Sequence, residues 1–206
     1  MDGDSLVYST YLGGSLGQES NRIAVDRHGR AYITGSTTSS DFPIKNAFQK
    51  NIGIGADMFH SNAFVTELSR NGESLIYSSY LGGDGEMATQ GDQGFGIAVD
   101  SRGNAYVTGY TDSYNFPVKN AFQEEKQGFS DAFVTKISAF HIEDVNADGR
   151  VNCSDIAIVK GLLGKKEGQP GFNSSADVNS DGVVDFRDLA LIAQHLPGGT
   201  TCSIGR

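Results

Sequence analysis

The chain has 206 residues, 25 acidic against 16 basic, with a net charge of −9. No Lys/Arg cluster offers itself to phosphates, so nucleic acid is excluded as a partner. No apolar run approaches the ~18 residues of a membrane span, so no membrane partner is expected.

Residues 5–137 hold an internal repeat. S-L-V-Y-S-T-Y-L-G-G at Ser5 returns as S-L-I-Y-S-S-Y-L-G-G at Ser74, and A-F-V-T at Ala63 returns at Ala132, both at one common offset. I-A-V-D at Ile23 returns at Ile97, and F-P-I-K-N-A-F-Q at Phe42 returns as F-P-V-K-N-A-F-Q at Phe116, both at a second, slightly longer offset. The extra length is gained between Y-L-G-G and I-A-V-D and lost again between N-A-F-Q and A-F-V-T. Length changes confined to those places mark them as loops, because ordered strands do not tolerate them.

Each copy reads as four short strands: I-A-V-D and A-Y-I/V-T-G around a tight turn, then A-F-V-T-E/K-L/I and S-L-V/I-Y-S-S/T-Y-L. All are alternating, or β-branched and aromatic. Four-stranded units repeating at about 70 residues with glycine-rich corners point to β-propeller blades. The wording also resembles the SBBP family of bacterial β-propeller repeats, whose core motif is matched nearly letter for letter at residues 97–109. The resemblance implies a propeller-like body over residues 1–139. Propellers close with about four to eight blades, whereas this chain supplies two at most. The expectation is that residues 5–12 pair with the strand at residues 131–138, or that a homo-oligomer closes through bare β-edges.

Residues 144–196 carry a second repeat. D-V-N-A-D-G-R-V-N-C-S-D starts at Asp144, and D-V-N-S-D-G-V-V-D-F-R-D follows it at Asp177. Each places oxygen-bearing side chains at positions 1, 3, 5, 9 and 12 around a glycine at 6, the pattern of an EF-hand-type calcium loop. Ile156, Val159 and Leu163 follow the first loop, and Leu189, Ile192 and Leu196 the second, at the spacing of one helical face.

This stretch resembles a type I dockerin, a small all-α calcium module, here over residues 140–206, which docks onto cohesin domains. The fold expected for the whole chain is therefore multidomain, with all-β propeller-like blades (two four-stranded repeats) followed by that module. The resemblance makes Asp144, Asn146, Asp148, Asp155 and the carbonyl of Arg150 ligands of one Ca2+, and Asp177, Asn179, Asp181, Asp188 and the carbonyl of Val183 ligands of a second. Asn152 and Asp185, at position 9, are assigned contacts through water. It also implies partner contacts at Ser154, Lys160, Phe186, Arg187 and Gln194. Cys153 stands at the start of the first helix and Cys202 just past the second. In a pseudo-twofold pair of antiparallel helices these ends are neighbours, so a disulfide is expected.

No catalytic constellation emerges. His28, His60, His141 and His195 have no Cys or carboxylate at metal-ligand or triad spacing. Asp84, Glu86 and Asp92 share a glycine-rich loop, read as a polar insertion with a third cation site as the alternative. The leading expectation is thus a non-catalytic calcium-dependent docking protein with a cohesin-type partner. The alternatives are a structural or adhesion fragment stabilised by calcium, and part of a polysaccharide-active enzyme. The residues after Met1 lack the features of a signal peptide, yet calcium loops and a disulfide favour an extracellular or cell-surface home. The expectation is therefore that Met1 is an artificial start or that the chain is cut from a longer secreted protein.

Overall fold

The first hairpin turns on Asp26. Its Oδ1 accepts hydrogen bonds from the amides of His28 (2.8 Å) and Arg30 (2.9 Å), and Gly29 supplies the left-handed residue at φ 82° that the tight turn needs. Asp100, Arg102, Gly103 and Asn104 rebuild the same turn in the second repeat. The structure is a computed structural model describing residues 5–53, 60–84, 91–138, 143–146, 150–179 and 181–202. The chain divides into two units, residues 1–140 and 141–206.

In the first unit, β1 (Gln18–Val25), β2 (Ala31–Thr37), β3 (Asn62–Leu68) and β4 (Leu75–Leu81) form an antiparallel sheet in sequence order. β5 (Asp92–Val99), β6 (Ala105–Thr111) and β7 (Asp131–Ile137) form a second one. The repeats agree down to their irregularities, with a bulge in β1 between Ser20 and Arg22 and one in β5 between Gly94 and Gly96. Opposite each bulge stands a glycine, Gly35 or Gly109, where a Cβ would collide with the backbone oxygen of Glu19 or Gln93.

Two apolar layers hold the sheets. Ala31, Ile33, Phe42, Phe64, Leu68 and Tyr80 pack on one face of the first sheet, with Leu12, Ile52 and Leu75 against them. Ala63, Val65, Tyr77 and Leu81 on its other face meet Val107 and Phe133 of the second sheet, with Phe116 alongside. The aromatics of Asp41-Phe42-Pro43 and Asn115-Phe116-Pro117 set these layers. Phe42 lies 4.7 Å from Phe64, and Phe116 4.6 Å from Phe133.

Among the described residues the pairing expected for residues 5–12 does not form, and the second repeat shows three strands, not four. Among the described residues β7 pairs with β6 alone, and residues 5–12 are not a strand. They are held beside the first sheet. Leu12 packs on its first apolar layer, the Tyr8 ring lies against Gly72, and the amide of Ser15 donates to Asp41 Oδ1 at 2.8 Å. The sheets have the strand pattern of propeller blades, and among the described residues they close no ring.

The second unit contains α1 (Cys153–Gly161) and α2 (Phe186–His195). Its core joins equivalent residues of the two loop-helix repeats: Val145 with Val178, Ile156 with Leu189, and Val159 with Ile192. Leu162 takes the core place expected of Leu163, because α1 ends at Gly161 and its last turn winds tighter. Among the described residues no helix is long and apolar enough to cross a membrane.

Candidate metal centre

Each calcium-type loop is closed by the carboxylate at its twelfth position. In the second loop, Asp188 Oδ1 accepts from the amide of Asn179 (3.1 Å) and Oδ2 from that of Asp185 (2.8 Å). In the first, Asp155 makes the equivalent bonds to Asn146 (3.2 Å) and Asn152 (2.8 Å). Both carboxylates are fully buried. Position 12 thereby draws positions 3 and 9 inward.

Position 9 has a role that the loop pattern did not reveal. Asn152 and Asp185 are the N-caps of α1 and α2, accepting from the amides of Ser154 (2.8 Å) and Arg187 (2.7 Å). With Asp155 and Asp188 three residues on, each completes a reciprocal capping box. The signal was legible in N-C-S-D and D-F-R-D as an Asx residue followed by an acid three places later.

The start of the second loop is equally ordered. Asp177, nearly buried, accepts from the amides of Asp181 (3.1 Å) and Gly182 (2.8 Å), and Gly182 adopts φ 83°. Asp181 Oδ1 accepts from the Val183 amide at 3.0 Å, while its Oδ2 faces Asn179 Nδ2 at 3.0 Å and Arg187 Nη1 at 3.2 Å. The segment after α1 runs along this loop, with Gly164 and Glu167 donating to the carbonyls of Val184 (2.8 Å) and Gly182 (2.9 Å). Of the expected ligands, Asp148 lies outside the described residues, as does Gly149.

The electrostatics suit a cation. Burial pushes the Asp188 carboxyl up; the amides of Asp185 and Asn179 pull it down, and the charges of Asp177 and Asp181 push it up again. A buried carboxylate raised by its neighbours gains most from a hard divalent ion. The donors that the loop pattern assigns to the second ion are all oxygen: carboxylates, the Asn179 side-chain oxygen and the Val183 carbonyl. That chemistry fits calcium. Among the described residues, however, no three His, Cys, Asp or Glu side chains converge closely enough to hold an ion by themselves. In the second loop Asp181 is turned towards Arg187.

The ends of the helices are tied together. Cys153 and Cys202 form a disulfide with Cα atoms 5.3 Å apart. His195 Nδ1 lies 3.3 Å from Glu143 Oε1 and 2.9 Å from the Leu191 carbonyl. The residues expected to face a partner differ in exposure. Ser154, Phe186, Arg187 and Gln194 are exposed, whereas Lys160 is half-buried.

Residues 142–197 match the profile of the dockerin type I domain, and residues 7–43 and 76–117 match the SBBP beta-propeller repeat. The chain carries both, the propeller repeats first. No curated protein matches it in sequence. Dockerin type I domains bind calcium and dock protein partners, and the match supports that general role for the second unit.

The remaining candidates are scattered. His28 sits in the first hairpin turn beside Arg27, and His60 is buried; His141 lies outside the described residues. Asp84 accepts from Asn115 Nδ2 at 2.9 Å. Asp92 Oδ2 instead accepts from the Gly83 amide (2.8 Å) and Ser113 Oγ (2.9 Å). Glu86 lies outside the described residues.

Proposed function

We propose that this chain is a non-catalytic docking protein of the extracellular space or cell surface, whose dockerin domain binds two Ca2+ and then a cohesin-type partner. Asp144, Asn146, Asp148, Asp155 and the Arg150 carbonyl serve the first ion. Asp177, Asn179, Asp181, Asp188 and the Val183 carbonyl serve the second. The ion supplies charge neutralisation and cross-links each loop to the start of its helix; the capping boxes then hold that start rigid.

The observation that carries the docking reading is the outer face of α2. Phe186 and Arg187 are each 75% exposed, and Ala190, Ala193 and Gln194 continue the exposed stripe at helical spacing. Small residues between an aromatic, an arginine and an amide let a partner approach the helix closely, and aromatic and Arg side chains are the usual anchors of such contacts. The corresponding face of α1 offers Ser154, Ala157 and Gly161. Its counterpart of Phe186 is Cys153, which is consumed by the disulfide. The two faces are chemically unlike, which favours a single binding orientation through α2.

The test is capture of cohesin domains on the immobilised chain in calcium, repeated in EGTA. Retention in calcium alone, lost in Phe186→Ala with Arg187→Ala, supports docking. A second reading, in which calcium serves only the chain's own stability, draws on the Arg187–Asp181 pair, which ties an anchor side chain into the loop. It is the outcome if no cohesin is retained while calcium raises the melting temperature.

A further inference from the structure

Val65 and Val134 occupy the same place in the two repeats, yet Val65 is fully buried and Val134 is 80% exposed. The difference extends over the whole face. Every residue of β2 and β3 is buried, because the second sheet covers Ala63 and Val65. In β6 and β7 the residues alternate instead, leaving Tyr106, Thr108, Ala132, Val134 and Lys136 exposed. Among the described residues, the outer edge of β7 also lacks the strand that β4 provides for β3.

The complement of that edge is in the same sequence. Residues 5–12, S-L-V-Y-S-T-Y-L, repeat residues 74–81, S-L-I-Y-S-S-Y-L, which contain β4. In β4, Ile76 is 5% and Tyr80 1% exposed, while their counterparts Val7 and Tyr11 are 93% and 103% exposed. One set of apolar side chains is buried on a neighbouring strand, and an equivalent set stands in solvent. Within the chain this segment cannot serve β7, for Leu12, Tyr8 and Ser15 hold it at the opposite side of the first sheet.

We infer that residues 5–12 of one copy of this chain add as a fourth strand to β7 of a second copy, head to tail. The ladder between β3 and β4 gives the register. Ala63 pairs with Leu81, Val65 with Ser79 and Glu67 with Tyr77. Carrying the first partner forward by one repeat and the second back by one pairs Ala132 with Leu12, Val134 with Thr10, and Lys136 with Tyr8. The added strand satisfies the open amides and carbonyls of β7, and the sheet behind it covers the face around Val134. Lys136 suits that place, since its Nζ lies 5.0 Å over the Tyr106 ring. An interface made of two different surfaces propagates into a ring or a filament rather than stopping at a symmetric dimer.

Light scattering on the full chain in calcium, across a range of concentrations and with no docking partner present, tests this independently of the dockerin reading. The weight-average mass is expected to rise at least about twofold with concentration. Tyr11→Asp spoils the donor and Val134→Lys the acceptor; both residues are exposed, so circular dichroism should match the parent. Each variant alone is expected to be monomeric. Mixed, they retain one good donor and one good acceptor between them, and should form a dimer and nothing larger. A peptide of residues 5–12 should dissolve the parent's assemblies. A parent that stays monomeric at every concentration, or assemblies that survive both substitutions, would overturn the inference.

Discussion

Asp155 and Asp188 are the same residue twice. Each is fully buried, closes its loop by accepting the amides of positions 3 and 9, and completes the capping box of the helix that follows. Removing either carboxylate therefore does two separable things. Asp188→Ala leaves two inward amides without an acceptor, which costs about 1–3 kcal/mol even in EGTA. It also abolishes the calcium-dependent rise in melting temperature contributed by the second loop. Melting curves with and without calcium check this. An Asp188→Ala protein that matches the parent in EGTA would show that the carboxylate acts only through the metal.

The disulfide constrains the second unit before any ion arrives. Cys153 and Cys202 are 49 residues apart, and closing a loop of that length removes unfolded-state entropy worth ~4 kcal/mol in the chain-entropy model. Cys153→Ser with Cys202→Ser is expected to lower the melting temperature of the α-helical unit sharply in EGTA, and less when calcium is in excess, because ion binding favours the folded loops independently. A variant whose calcium-free stability is unchanged would mean that the core around Val159 and Ile192 suffices on its own.

Much of this architecture was legible because repetition makes a sequence its own alignment. The return of Ser5 to Gly14 at Ser74 and of Ile23 at Ile97 located both sheets and the loops between them. The return of Asp144 at Asp177 located both calcium-type loops and helices. What the letters did not disclose was placement. Residues 5–12 have the composition of β4, but strand pattern does not say which sheet edge a strand meets, and the contacts of Leu12 and Ser15 decide it. Position 9 was read as a metal position because the EF-hand pattern is dominated by its oxygens. Its helix-capping role follows from where the helix begins, which the loop pattern alone does not specify. His195 looked isolated because its partner, Glu143, lies at the far end of the unit in sequence and meets it only through the pairing of the two helices.

Asp92 gives the first unit a pH dependence. Burial pushes its carboxyl up, and hydrogen bonds from Thr111, Gly83 and Ser113 oppose this without cancelling it. A fold that holds a proton more tightly than the unfolded chain is penalised once that proton leaves. The cost is complete above the raised pKa and is relieved as pH falls through it towards the ordinary value of roughly 3.9. The bonds from Gly83 and Ser113 both fall on Oδ2, so Asp92→Asn can keep them with its carbonyl. The variant is expected to be more stable than the parent at pH 7, by ~1.4 kcal/mol for each unit of upward shift, with the gain shrinking towards pH 4. Denaturant titrations at the two pH values measure it. An equal effect at both would remove ionisation as the cause.

Arg30 joins two acids inside the first sheet, with Nε 2.7 Å from Asp26 Oδ2 and Nη1 3.0 Å from Glu67 Oε1. Burial alone would raise the Asp26 carboxyl, but the amide, charge and side chain of Arg30 hold it below the usual range. Glu67 is almost wholly enclosed, so losing the arginine strands a buried charge rather than exposing one to water. Arg30→Met is expected to destabilise by about 3–5 kcal/mol, whereas Arg30→Met combined with Glu67→Leu should recover much of that loss, because an apolar replacement of both partners avoids the desolvation of either. The repeat supports this expectation. In the second sheet the same places hold Asn104 and Lys136, with Asp100 bonded to Asn104, and Lys136 stands in solvent, so that sheet buries no charge at this place and needs no arginine to match one. A double-mutant cycle by urea unfolding gives the coupling. Additive losses would mean that Arg30 and Glu67 stabilise the sheet separately, through packing of their stems.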